Sequence, residues 1–335
     1  MQLIAFEDNL FPRGRDKSVW LDCGACQSPV QVAGSPREIS DAMNEGDIFA
    51  VLAALVWSFC VILMRISGFQ IPPVALTLFK GSFATVFFLL ALPLVGAPFF
   101  PDLSGGNYLL LVISAILGIT IADTLFAAAL NRLGASLQAL ADCIYSPSMV
   151  AVGFLLFGEM LGHWEMLGGA LVVAGVAVGM RKTEDVRSNR ELLIGVLLAA
   201  GAHVIMAVGI LMVRDVIREH SVVWVSAFRF LVATIALASF ASLRWPAGEV
   251  FVAFRRRDIW RIMIPMSFLG PFMGTMFWTA GFKYTTAGRA AIFNQMATVF
   301  IIALAVVVLK ERFTLRKALG VGLAIIGALL VALQK

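Results

Sequence analysis

The chain has 335 residues, of which 60% are apolar and only 14% charged, and its mean hydropathy is +0.91. A water-soluble domain of this size could not cover its surface with so few charged groups. The net charge is +5, but no basic tract is interleaved with aromatics, which sets nucleic-acid binding aside.

In chain order, residues 1–46 are polar, carry charges of both signs and lack the apolar run of a signal peptide. They are expected to form a weakly ordered tail. Cys23 and Cys26 make an isolated C-x-x-C with no second pair and no nearby histidine, so chance spacing outweighs a metal or redox role. Met43, just before the first apolar block, is expected as an alternative start of the native product.

Ten apolar blocks follow, at roughly 48–66, 73–95, 107–130, 134–157, 163–181, 192–213, 222–243, 262–282, 288–309 and 315–334. Crossing a hydrocarbon core of about 30 Å takes about 20 helical residues, and the blocks meet that length. The connections are short, which predicts antiparallel packing of consecutive helices. The longest are 182–191 and 244–261, the latter with Arg255-Arg256-Arg257.

The chain repeats itself. A shift of 149 residues places Arg65 on Arg214, Phe79 on Phe228 and Lys80 on Arg229. From the third block a shift of 152 places Asp142 on Asn294, Glu159 on Glu311, Gly168 on Gly320 and Gly175 on Gly327. Matches among rare charged positions carry this inference, because apolar ones come cheaply in so apolar a chain. The domains are therefore a tail (1–46), a first five-helix repeat (47–182) and a second (183–335). Five crossings per repeat make the second enter the membrane from the opposite side. The fold class is an all-α membrane protein of ten transmembrane helices arranged as two inverted five-helix repeats, an architecture that can expose one midplane site alternately.

Ionisable residues within spans need a partner or a watery cavity. Gln138, Asp142 and Tyr145 recur at i, i+4 and i+7 on one face of the fourth span, and Pro147 allows a local break behind them. The ninth span offers Asn294 and Thr298 in answer, so the two stripes together could line a central cavity; the competing reading is that Asp142 bonds a neighbouring helix. Asp123 is either a proton carrier or the partner of Lys80. Lys80 and Arg229 either attract an anionic substrate group or snorkel to the interface. His203 either takes part in proton linkage or makes an interhelical hydrogen bond. Trp57 and Trp278 are deep enough to wall a cavity. Glu159 and Glu311 fall at span ends and are expected to lock corners. The small residues at Gly175–Gly179, Ala170–Ala174 and Gly320–Ala324–Ala328 are expected to serve close helix packing.

Several motifs together resemble the ten-helix, EamA-type members of the drug/metabolite transporter superfamily over residues 47–335. They are Leu55-Val56-Trp57-Ser58, Pro73 through Lys80, Gly158-Glu159-Met160-Leu161 and Lys310-Glu311-Arg312-Phe313. Gly168-Gly169-Ala170-Leu171 with Gly175, and Gly320-Val321-Gly322-Leu323 with Gly327, complete the set. The resemblance implies secondary-active export or exchange of small organic metabolites such as amino acids, by alternating access in a cell membrane. The superfamily's small multidrug pumps carry an acidic residue within their first helix. None lies between Asp47 and Arg65 here, so that coupling chemistry does not carry over. The expected partners are a small-molecule substrate, the lipid bilayer and a coupling proton or other ion; no cofactor, metal or nucleic acid is expected.

The alternatives are a membrane-embedded enzyme and a channel-type facilitator. With histidines only at 163, 203 and 220, the chain has no H-E-x-x-H pair, no nucleophile triad and no Walker-type glycine loop. Orientation divides the signals. The resemblance places both termini in the cytoplasm, yet that topology leaves nine basic residues on the cytoplasmic side and fifteen on the other, against the positive-inside rule. With the termini inside, a cysteine introduced as Arg256→Cys reacts with an impermeant maleimide in intact cells; labelling only after permeabilisation would reverse the topology.

Overall fold

The structure is a computed structural model that describes residues 45–157, 162–179, 186, 188–284, 287–312 and 314–332. Cys23, Cys26, Met43 and Glu159 lie outside the described residues, as does the side chain of Asn294.

Among the described residues the chain is helical, without a strand. The long helices are α1 (Glu45–Gly68), α2 (Pro73–Leu94), α3 (Gly105–Leu133), α4 (Ala135–Asp142 and Tyr145–Phe157), α5 (His163–Gly179) and α6 (Asn189–Leu211). They continue with α7 (Val222–Arg244), α8 (Arg257–Gly281), α9 (Ala287–Val308) and α10 (Leu315–Ala332). Seven of these, α1 to α4 and α6 to α8, are long and apolar enough to cross a membrane, and shorter apolar stretches cover Met166–Gly179 in α5 and Met296–Val308 in α9.

Local chemistry sets the ends. Pro73 occupies the first turn of α2, where a missing N–H leaves nothing unsatisfied. Ser104 caps α3 by accepting from the Asn107 amide at 3.2 Å. At the other end of α3, Arg65 reaches from α1 to donate to the carbonyls of Leu130 and Asn131 at 3.1 and 2.8 Å. Gly134 then turns the chain with φ +81°, and α4 starts at once. The carboxylate of Glu311 accepts from the amides of Ala135 and Ser136 at 2.8 and 2.9 Å, so a second-repeat corner caps a first-repeat helix. A side chain at Gly134 would crowd that carboxylate, whose Oε1 stands 3.0 Å from the added carbon. The break in α4 falls at Cys143–Ile144, four residues before Pro147, whose ring removes the amide that would bond the Cys143 carbonyl.

Consecutive helices do touch, as their short connections predict, but those contacts are the lesser ones. Each helix packs chiefly on the other repeat: α1 on α8 and α9, α6 on α3 and α4, α2 on α7, and α5 on α10. Short loops fix only where helix ends meet; burial of the faces decides the neighbours. Exchanging the repeats maps each of these pairs onto another or onto itself, the signature of a pseudo-two-fold axis. Thr85 and Thr234, equivalent under the 149-residue shift, meet at 3.5 Å across α2 and α7. Two π-helical segments, Ile116–Ile121 in α3 and Phe268–Gly274 in α8, also start 152 residues apart. The 244–261 connection is not a plain loop. It forms short helices at Ala247–Val250 and Val252–Arg255 because Val250 and Ala253 bury against α2 and its neighbours.

The α5–α10 crossing brings backbones together. A Cβ on Gly175 would stand 2.6 Å from the Gly320 carbonyl and the Ala324 amide, and one on Gly320 would stand 2.6 Å from the Gly175 carbonyl. The stripes at Gly175–Gly179 and Gly320–Ala324–Ala328 are thus packing surfaces within the fold, whereas Ala170 and Ala174 lie exposed on the outer side of α5. Gly320→Ala should destabilise the protein by about 1–3 kcal/mol, because backbone atoms cannot yield as a side chain can. Gly322→Ala, where an added carbon meets nothing within 4 Å, should be neutral or slightly stabilising. Thermal unfolding in one detergent checks the pair.

Candidate functional site

Between the repeats lies a cavity of about 250 Å³, walled by residues from α1 to α4 and α6 to α9. Eight of the ten sequence-predicted site residues stand at its wall: Trp57, Lys80, Asp123, Asp142, Tyr145, His203, Arg229 and Trp278. Gln138 does not. It is fully buried behind the wall and donates through Nε2 to Asp142 Oδ1 at 2.8 Å, so the polar stripe ends in a supporting contact. Asn294 belongs to α9, but its side chain is outside the description.

One salt bridge and one carboxylate–imidazole hydrogen bond order the wall. Lys80 Nζ donates to Asp123 Oδ2 at 2.6 Å, and Lys80 is only 1% exposed. Of the readings open for Lys80, snorkelling is therefore not what the fold adopts. The amine turns inward and is neutralised where an isolated charge would be expensive. The second pair joins α4 to α6, with His203 Nε2 at 2.9 Å from Asp142 Oδ1. That oxygen thus receives both Gln138 and His203. The His203 ring is set edge-on against Phe126 and Tyr145, at 6.2 and 5.9 Å between centroids, which fixes its direction.

The cavity follows the repeat register. Under the 149- and 152-residue shifts, Ala54 corresponds to His203, Trp57 to Met206, Lys80 to Arg229, Asp123 to Thr275 and Phe126 to Trp278, and all ten line the wall. Sequence reasoning overlooked Phe126, Met206, Ser226 and Phe230. The repeat alignment could have found the first two, since their partners Trp278 and Trp57 were already candidates. Equivalent positions have diverged in charge: both described carboxylates come from the first repeat, while the second contributes an imidazole and a guanidinium. Thr298, also at the wall, joins the repeats, with its hydroxyl 3.4 Å from the Ala139 carbonyl and 3.7 Å from Cys143 Sγ.

A helical bundle with membrane-length apolar spans and, between its two halves, a mainly apolar cavity into which a few charged side chains reach defines a polytopic membrane protein of transporter type. Residues 44–180 and 193–333 each match the EamA-like transporter family, so the chain belongs to that family and is a membrane transporter of the drug/metabolite superfamily. Members of the family are transporters, not enzymes. No curated protein matches the chain. Among the solved structures similar to the chain is a crystal structure with a TM-score of 0.63 and 19% identity, over 87% of this chain and 98% of the other, which shows a shared fold.

Breaking the Lys80–Asp123 pair from one side leaves an uncompensated charge. Lys80→Met or Asp123→Asn alone should therefore cost roughly 3–5 kcal/mol, while the double variant should recover most of that loss. Unfolding of the three variants in matched detergent measures the cycle.

Proposed function

We propose that the protein is a secondary-active exporter or exchanger of small organic metabolites such as amino acids, working by alternating access in a cell membrane. The observation that carries this reading is the cavity itself: it lies between two pseudo-equivalent repeats, and charged side chains from both converge on it at a depth where each must be matched. A volume of about 250 Å³ suits a metabolite better than a drug-sized molecule, which occupies pockets of about 300–1,000 Å³. Small polar groups (Ser226, Thr275, Tyr145) among aromatic walls (Trp57, Phe126, Trp278) are the usual make-up of a small-ligand site.

The coupling ion in this reading is the proton, and its carrier is the Asp142–His203 pair. A carboxylate and an imidazole that share a hydrogen bond at a cavity wall can hold or release one proton as the site changes sides. Rocking of one repeat against the other, with α3 and α8 yielding at their π-helical segments, would move the opening from one face to the other.

The test is uptake of a labelled amino-acid mixture by proteoliposomes, with and without an imposed pH gradient, with Asp142→Asn beside the wild type. Saturable uptake that follows the gradient, reduced at least about tenfold in the variant, is expected. Gradient-driven uptake unchanged by Asp142→Asn would remove the proton carrier from this pair.

A further inference from the structure

The two repeats bring unequal charge to the cavity, and this asymmetry identifies part of the substrate. Lys80 is neutralised by Asp123 at 2.6 Å, and Asp142 is engaged by His203 at 2.9 Å and Gln138 at 2.8 Å. Arg229, the repeat equivalent of Lys80, has no ion pair of its own: the carboxylate whose charge acts on it is Asp123, which already bonds Lys80. It lines the cavity, forms no ion pair or hydrogen bond among the described residues, and keeps a buried Nε with nothing to donate to. Its repeat logic explains why. The position facing it in the second repeat's register, where the first repeat has Asp123, is Thr275, so the duplicated cation has lost its duplicated anion.

A guanidinium at this depth is costly unless it is matched, and an anion matches it best. A Cβ on Gly118 would stand 3.1 Å from Arg229 Nη2, so the guanidinium comes close to the π-helical segment of α3, where Gly118 leaves it room. A planar fork is suited to a carboxylate, which it can bind through two parallel N–H···O bonds. Ser226, one helical turn away on α7, and Tyr145 across the cavity supply hydroxyls for the same group.

We infer that Arg229 is the substrate's anchor and that the cavity selects small organic carboxylates, bound through the guanidinium, with Asp142 open to an amine where the substrate has one. This rests on the reading of the cavity as the transport site. Lys80 and Asp123 then hold the wall in shape, and Trp57, Phe126 and Phe230 surround the apolar remainder of the ligand.

The experiment is binding to the full chain in nanodiscs, read by microcalorimetry at one pH. The probes are the twenty standard amino acids and the straight-chain monocarboxylates, each beside its carboxamide. At least one acid should bind and its amide should bind about tenfold more weakly or not at all. Arg229→Gln should bring the acid down to the level of the amide. Failure of every acid to bind, or equal binding of acid and amide, overturns the inference. So does an unchanged affinity in folded Arg229→Gln, and the acid–amide comparison stands even if that variant does not fold. The transport reading fails separately. Binding of an acid without flux in proteoliposomes would leave the carboxylate site and remove transport, while flux of cations or neutral solutes by a protein indifferent to carboxylates would do the reverse.

Discussion

Everything distinctive about this protein follows from the difficulty of keeping charge away from water. A bundle made almost wholly of apolar helices could bury any number of leucines without consequence, but each lysine, aspartate or arginine carried to mid-depth must be matched there. The Lys80–Asp123 and Asp142–His203 pairs do this by joining α2 to α3 and α4 to α6. The cavity is the region where these pairs stop short of complete neutralisation. Structure and site therefore share one cause: the groups that tie the helices together are also those left facing the central space.

Duplication adds a second constraint. Because the repeats interleave, a helix pairs mainly with the other half, and the axis between them runs through contacts of equivalent residues such as Thr85 with Thr234. The α5–α10 crossing, where glycine backbones meet reciprocally, leaves almost no room for relative displacement. The π-helical segments of α3 and α8 lie at the opposite extreme, since a widened turn is a poor way to stiffen a helix. In the proposed cycle the close crossings on one side would hold and the widened turns at the cavity would yield.

Much of this was legible in the sequence. Hydropathy located the helices, and charged matches at fixed shifts exposed the repeat, because rare residues at matched depths do not recur by accident. Eight of ten candidate residues reached the cavity for the same reason: depth in a span makes a polar group conspicuous. Gln138 was misread because helical periodicity gives a face but not its distance from the wall, and a one-turn offset separates lining from support. The main partner of each helix was not legible, because loop length constrains chain ends, whereas interfacial packing is a tertiary property. Nothing local in the sequence marked the π-helical segments, although their equal spacing shows that the repeat governs them. Glu311 was recognised as a corner residue, yet that it caps α4 in the other repeat is a fact of three-dimensional packing.

Alternating access is the claim on which the rest of the account converges, and counterflow tests it most directly. Proteoliposomes are loaded with excess unlabelled amino acids and then diluted into a trace of the labelled mixture. If the cavity opens to one side at a time, labelled solute will rise transiently above its equilibrium level inside, because each outward-moving molecule returns the site to the outer face. A monotonic approach to equilibrium, with flux that does not saturate, would describe a channel and contradict the account.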